Sequence, residues 1–123
     1  MPWQLDSDRP IYAQLVEKIK LRIISGYFKP GDKMPSVREL AAEAGVNPNT
    51  MQKALAELEH SGLVQTYRTS GRVVTEDTER IKAIQMEIAT EMVENFLKQM
   101  KELGYNKEEA AALFQKACEE GNE

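Results

Sequence analysis

Residues 36–62 read SVRELAAEAGVNPNTMQKALAELEHSG, and this stretch decides the fold. Ser36 and Glu39 have the S-x-x-E spacing of a capping box, in which each side chain bonds the other residue's free backbone N–H, so a helix begins there. Gly45 ends that helix, and Asn47 is suited to cap a second one because its side chain can accept a first-turn N–H. The sequence therefore predicts two short helices joined by a tight turn.

The second helix has one apolar face and one polar face. Met51, Leu55 and Leu58 recur at helical spacing and predict its buried side. A rotation of about 100° per residue places the following residues on the outer side or at the start of the helix: Asn47, Asn49, Thr50, Gln52, Lys53 and Ala56. Asparagine and glutamine bind adenine in a bidentate way and lysine reaches guanine or phosphate, so this side has the chemistry to read bases, the alternative being a solvated helix face.

The flanking sequence extends this motif on both sides. Residues 11–25 carry apolar side chains at three- and four-residue spacing, which is typical of an amphipathic helix, and the Pro-Gly-Asp of residues 30–32 predicts a turn. Residues 63–67 and 73–75 are β-prone and flank a loop, which predicts a hairpin, or wing. Three helices followed by a hairpin are the layout of a winged helix-turn-helix, which places its second motif helix in the major groove of DNA.

Three arginines supply the cations that DNA phosphates require. Arg38, one turn into the first motif helix, is placed to reach phosphate or guanine, although a surface ion pair is the alternative. Arg68 and Arg72 flank the hairpin tip, where they reach the minor groove or the DNA backbone or serve only solubility. The candidate DNA-binding residues are Ser36, Arg38, Asn47, Asn49, Thr50, Gln52, Lys53, Arg68 and Arg72.

Residues 77–123 predict two further helices. A long helix over residues 78–103 carries an apolar stripe that needs a partner, and Asn106 with Glu109 predicts the capped start of the last helix. We interpret the stripe as a homodimer interface, with a small-molecule effector pocket as the alternative. The candidate dimerisation residues are Ile81, Ile84, Ile88, Met92, Phe96, Met100, Leu113 and Phe114. The predicted fold is mainly α with a small β-hairpin: a winged helix-turn-helix in residues 1–76, then a two-helix dimerisation segment in residues 77–123.

Composition limits the classes of function. The net charge is −4, but residues 1–76 sum to +1 and residues 77–123 to −5, so the first part is able to approach phosphates. The near-neutral first part also leaves open a winged helix that docks another protein without specific DNA binding. One cysteine and one histidine give no zinc quartet, and no nucleophile stands beside a base, so we expect no metal, no cofactor and no enzyme activity. The absence of a long apolar run and of a signal-peptide pattern predicts a cytoplasmic protein with no membrane partner.

The run KPGDKMPSVRELAAEAGVNPNTMQKALAELEHSGLV of residues 29–64 resembles the DNA-binding signature of GntR-type regulators, P-G-x-x-[LM]-P-S-x-R-x-L followed by a recognition helix. Residues 9–15, RPIYAQL, agree with it. The V-N-P-N-T variant is similar to the YtrA-like subgroup, which has only a short two-helix C-terminal part. Many family members carry arginine at the positions of Pro48 and Gln52, so their base contacts do not transfer to this chain.

The resemblance also implies a biological role. It implies a dimeric repressor of a nearby operon, often one that encodes an ABC transporter. For such a dimer we expect an inverted-repeat operator in double-stranded DNA, because two half-sites related by the two-fold axis add their contacts.

Overall fold

The computed structural model describes residues 3–121. Its elements are α1 (Ile11–Ile24), α2 (Val37–Ala44), α3 (Pro48–Ser61), β1 (Val64–Tyr67), β2 (Gly71–Val74), α4 (Thr78–Glu102) and α5 (Lys107–Glu120). This is the predicted fold class, five helices with one small hairpin. Across residues 3–121, no helix is both long and apolar enough to cross a membrane.

The chain divides into two compact units, the first ending at Ile84 and the second beginning at Gln85. In the first unit α3 packs against both α1 and α2. The apolar face predicted for α3 is confirmed, since Met51, Leu55 and Leu58 are all 0% exposed. The other side chains with no solvent exposure in this core include Leu15, Ile19, Leu40 and Leu63. Burial on this scale is the main stabilising contribution to a small domain.

Both predicted caps of the helix-turn-helix are present. The Ser36 hydroxyl accepts from the Glu39 backbone N–H at 3.1 Å, and the Glu39 carboxylate accepts from the Ser36 N–H at 2.9 Å. Gly45 has a φ of 77°, a left-handed conformation that side chains disfavour, and there the chain leaves α2. The Asn47 side-chain oxygen accepts from the Asn49 N–H at 2.7 Å and begins α3.

The wing is an antiparallel hairpin in which Val64 pairs with Val74 and Tyr67 with Gly71. The segment before α2 adds a third row of backbone hydrogen bonds to β2. The Met34 N–H donates to the Arg72 carbonyl at 2.8 Å, and the Val74 N–H donates to the Asp32 carbonyl at 2.8 Å. The wing is therefore tied along one edge to the chain that leads into α2.

The first unit extends past the predicted boundary at residue 76. Ile81 and Ile84, on the first two turns of α4, are 9% and 8% exposed and belong to the first unit. The Arg80 side chain donates to the Ser61 carbonyl at 2.8 Å, at the carboxyl end of α3. The first compact unit thus reaches Ile84, and Ile81 and Ile84 are largely covered within one chain. The domain boundary and the place of these two residues in a dimer interface remain predictions.

The second unit holds the rest of α4 and α5. Asn106 and Glu109 form the predicted capping box, with the Glu109 N–H donating to the Asn106 side chain at 2.8 Å. Ala110 is buried, but Met92, Phe96 and Phe114 are 66%, 37% and 59% exposed. Within the described residues this unit thus leaves large apolar side chains in contact with solvent.

We expect Leu55→Ala to lower the free energy of unfolding of the first unit by about 2–5 kcal/mol, because it removes a fully buried side chain and leaves a cavity. The matched control is Leu21→Ala at a leucine that is 53% exposed, which should cost about 0.5 kcal/mol or less. Urea unfolding followed by the fluorescence of Trp3, the single tryptophan of the sequence, measures both. Equal losses for the two variants would contradict the assignment of α3's inner face to the core.

Candidate nucleic-acid interface

The outer side of α3 is a polar surface on a firmly held helix. Asn49, Gln52, Lys53 and Ala56 are all exposed, as predicted, while the opposite side of the same helix is buried. Small Ala56 lets another surface approach the helix closely. Two amides and one ammonium therefore project from a helix whose orientation the core fixes, which is the arrangement that a recognition helix needs.

Two of the candidate DNA-binding residues, Ser36 and Asn47, also cap helices. The Ser36 oxygen and the Asn47 side-chain oxygen are both occupied by backbone N–H groups of their helices. Among residues 3–121 the Asn47 amide nitrogen donates to no other group, which leaves it available to phosphate. Thr50 is half-buried, and its N–H donates to the Asn47 carbonyl at 3.0 Å. Their role in DNA contact remains a prediction.

Arg38 lies exposed on α2, and among residues 3–121 it forms no ion pair. The alternative of a surface ion pair is thus not realised. A guanidinium that is free of intramolecular partners presents a fork of N–H donors that matches the oxygens of phosphate or guanine.

Lys53 has a partner that the sequence analysis did not identify. Its ammonium lies 3.9 Å from the centroid of the Tyr12 ring on α1, a cation–π geometry. The Tyr12 side chain is itself half-buried. The contact joins residues that are distant in sequence, so no spacing along the chain indicated it. It holds the Lys53 charge at the side of α3 nearest the start of α1.

The two wing arginines have different environments. Arg68 is exposed at the tip, whereas the Arg72 guanidinium is paired with the Glu59 carboxylate of α3 at 2.8 Å and its side chain is only 19% exposed. Arg72 therefore braces the wing against the recognition helix, and of the two only Arg68 projects freely. Ser36 and the tip residues Thr69 and Ser70 line one groove of about 470 Å³, so the start of α2 and the wing tip flank the same opening.

Two carboxyl groups at this surface have pKa values below their ordinary range. Burial of Glu59 raises its pKa, but hydrogen bonds from Thr66 and Arg72 and the charge of Arg72 outweigh burial and lower it overall. The pKa of Glu39 is lowered by hydrogen bonds from the Ser36 backbone and hydroxyl. Both groups are ionised at neutral pH, and both charges are engaged with neighbours instead of standing free against an approaching phosphate.

An exposed amide-bearing helix, an adjacent free arginine and a braced wing define a DNA-binding winged helix-turn-helix. The sequence pattern of the family described as "Bacterial regulatory proteins, gntR family" matches residues 11–74. The chain belongs to the GntR family and is a DNA-binding transcriptional regulator.

Two relatives from Bacillus subtilis match most of the chain. The uncharacterized HTH-type transcriptional regulator YhcF is 43% identical over 106 residues, covering 86% of this chain and 88% of YhcF. The HTH-type transcriptional repressor YtrA is 42% identical over 94 residues, covering 76% of this chain and 70% of YtrA. The resemblance to the YtrA-like subgroup is thereby confirmed.

Solved structures agree with the fold. A GntR family transcriptional regulator from Listeria monocytogenes has a TM-score of 0.85 and 44% identity, covering 91% of this chain and 98% of that one. A DNA-binding domain of AraR, solved in complex with an operator, has a TM-score of 0.52 and 32% identity, covering 61% of this chain and 94% of that one. The first of these structures extends over both units of the chain.

We expect Glu59→Gln to lower the free energy of unfolding at pH 7 by about 0.5–1 kcal/mol, since it removes the charge that pairs with Arg72. The folded-state pKa of Glu59 is lowered, so this contribution is present above the ordinary carboxyl pKa and is lost as the pH falls through the folded-state value. Urea unfolding at several pH values measures it. The control is Glu57→Gln on the same helix, whose exposed side chain forms no ion pair among residues 3–121. A difference between wild type and Glu59→Gln that persists unchanged at low pH would rule out the ion pair as its cause.

Proposed function

We propose that this chain is a homodimeric repressor that binds an inverted-repeat operator, with α3 of each protomer in a major groove. The observation that carries the proposal is the outer side of α3, where Asn49, Gln52 and Lys53 are exposed on a helix whose inner side is fully buried. Operator binding by the similar AraR domain and the repressor role of YtrA support it. The protein acts in the cytoplasm, where bacterial DNA lies, and has no catalytic role.

The side chains divide into base-reading and phosphate-binding groups. Asn49 and Gln52 read adenine edges, because an amide matches the donor and acceptor pair on that base. Lys53 and Arg38 bind phosphate, with guanine as a second target for Arg38. At the wing, Arg68 carries the remaining cationic contact, since the guanidinium of Arg72 is held by Glu59.

The operator itself is unidentified, so the first experiment is selection of bound DNA from a random duplex pool with the purified full chain. We expect an enriched inverted repeat whose half-sites lie about one helical turn apart. Salt-dependent binding to duplex DNA separates this function from the alternative of a protein-docking module. A protein that contacts phosphates displaces counterions, so its DNA affinity falls as salt rises, whereas a protein-docking module shows no such binding. A pool that stays random after selection, with no salt-dependent binding, would refute the proposed function.

On the selected operator, we expect Arg38→Ala and Gln52→Ala each to weaken binding by about 1–3 kcal/mol, the second with relaxed preference at one base pair. Lys53→Ala should weaken all sequences alike and lower the salt slope by about 1, because one phosphate contact is lost. Fluorescence anisotropy with labelled duplexes at several salt concentrations measures these effects. The control is Lys82→Ala, which removes an exposed lysine of α4 that lies outside the proposed interface. Wild-type affinity in all three variants would contradict the placement of α3 in the groove.

The partner that completes the second unit is another copy of this chain. Met92, Val93, Phe96, Leu97, Ala111 and Phe114 line an apolar groove of about 410 Å³ between α4 and α5. Five of these six residues are more than a third exposed, which is costly in water and favours burial against a complementary surface. A two-fold axis lets one self-complementary face serve both protomers. Ile88, Met100 and Leu113, also predicted for the interface, lie half-buried or exposed in this unit.

DNA recognition gives an independent reason for a dimer. A single winged helix buries too little surface for specific binding at physiological salt, whereas two modules on an inverted repeat combine their contacts. The charge distribution fits a first unit that binds DNA and a second unit that dimerises. Residues 77–123 sum to −5 and residues 1–76 to +1, so the excess negative charge lies outside the recognition motif in the sequence.

We expect Phe96→Glu to raise the dimer dissociation constant by about thirtyfold or more, because it places an unpaired charge in an apolar contact. Analytical ultracentrifugation over a range of concentrations measures it. The control is Asn95→Glu, which adds the same charge to the neighbouring, exposed position of α4 and should leave the dimer intact. If wild type sediments as a monomer at all concentrations, or if both variants behave alike, this interface is wrong.

Control of a transporter operon remains a prediction from the family resemblance, and response to an effector remains a prediction from the apolar stripe of residues 77–123. The apolar groove lined by Met92 and Phe114 is the place where an apolar effector fits, within or beside the dimer contact. An effector bound there would shift the spacing of the two recognition helices and so change operator affinity.

A further inference from the structure

The chain before α1 is held as an arm, defined here as residues 3–9, which turns at Ser7 and Asp8 before it reaches α1. At its start, the Trp3 backbone N–H donates to the Ala44 carbonyl at 3.2 Å, and the Trp3 indole N–H donates to the Glu43 carboxylate at 2.9 Å. Both acceptors lie on the last turn of α2. The arm therefore contacts the first motif helix at the point where it ends.

The Trp3 ring is fixed from its face as well as from its edge. The Arg22 guanidinium of α1 lies 4.7 Å from the Trp3 ring centroid and 4.8 Å from that of Tyr27. The same guanidinium pairs with Glu43 at 2.9 Å. Because Arg22 and Trp3 share Glu43 as their partner, the ring, the cation and the carboxylate form one closed group that joins the arm, α1 and α2.

The other end of the arm is tied to α1 by a buried glutamine. Gln14 is 4% exposed; its side-chain oxygen accepts from the Asp6 N–H at 2.6 Å, and its amide donates to the Asp6 carbonyl at 2.7 Å. The Gln14 side chain therefore satisfies both the N–H and the carbonyl of Asp6, as the backbone of a neighbouring β-strand would. The arm is thus attached at both ends and spans from the start of α1 to the end of α2.

The position of the Trp3 contact gives it a role in recognition. Ala44 is the last residue of α2, where backbone carbonyls lack helical partners, and it stands three residues before the cap of α3. From this contact we infer that Trp3 is a positioning residue for DNA recognition. Its ring anchors the arm, and its backbone N–H holds the carboxyl end of α2. The turn from which α3 projects follows directly and is held with it. The inference rests on the recognition role proposed for α3.

The test compares two aromatic residues that stack on the same guanidinium. Trp3→Ala releases the arm, whereas Tyr27→Ala removes a second ring over Arg22 without touching the end of α2. Binding to the selected operator and to random duplex is measured for the full chain at a temperature where circular dichroism shows each variant folded. We expect Trp3→Ala to weaken operator binding about tenfold while random-duplex binding changes less than about twofold, because base contacts need a fixed helix and phosphate contacts tolerate displacement. Tyr27→Ala should retain wild-type binding to both.

Two further variants, Trp3→Phe and Glu43→Ala, distinguish a positioning role of Trp3 from a general contribution to stability. Trp3→Phe keeps a ring over Arg22 and should restore most of the operator preference, although it lacks the indole N–H. Glu43→Ala, on an exposed side chain of α2, removes the shared acceptor and serves as the second variant if Trp3→Ala proves poorly folded. It should reproduce the loss of operator preference and shift Trp3 emission toward that of solvated indole.

Retention of wild-type operator preference by folded Trp3→Ala, or by folded Glu43→Ala with solvated Trp3, would overturn the inference. An equal loss for Trp3→Ala and Tyr27→Ala would also overturn it, because the common factor would then be the packing of Arg22. Failure of the proposed function gives a different result, since wild type itself would then show no preference for any operator.

Discussion

The structure depends on the burial of one face of α3. Met51, Leu55 and Leu58 carry no solvent exposure, so α3 has a single orientation about its own axis. Any rotation that brought its polar side inward would bury the amides and the ammonium without partners, at a cost of several kcal/mol. The same constraint that stabilises the core therefore points Asn49, Gln52 and Lys53 outward. The packing of the buried face of α3 therefore determines which of its polar side chains are exposed.

The rest of the first unit consists largely of contacts that hold α3 from its ends and sides. Arg80 bonds the carboxyl end, Asn47 caps the amino end, and Glu59 receives Arg72 from the wing. The Trp3 contact acts one step earlier, at the end of α2. Few of these bonds are strong singly in water, yet together they leave the recognition helix little freedom. A rigid reading helix loses less entropy on binding DNA.

The charge of the protein makes this rigidity more important. The first 76 residues sum to only +1, so bulk electrostatic attraction to DNA is weak. Several cations are also engaged internally: Arg72 with Glu59, Arg22 with Glu43, and Arg9 with Glu17 at 2.6 Å. Among the described residues, Arg38 on α2 and Arg68 at the wing tip are the arginines of the proposed interface that form no ion pair. In the proposed function, affinity then depends on shape, on the amide contacts of α3 and on a second protomer.

The sequence by itself determined the local features of this protein. Capping boxes, helix-stopping glycines and the apolar spacing of α3 are encoded within a few residues, so the elements, their caps and the outward side of α3 followed from pattern alone. Tertiary structure decided what depends on contacts between distant residues. It paired Arg72 with Glu59 and Lys53 with Tyr12, buried Ile81 and Ile84 within the first unit, and attached Trp3 to α2. A helical stripe shows that a face must be buried, but only the folded chain shows which neighbour buries it.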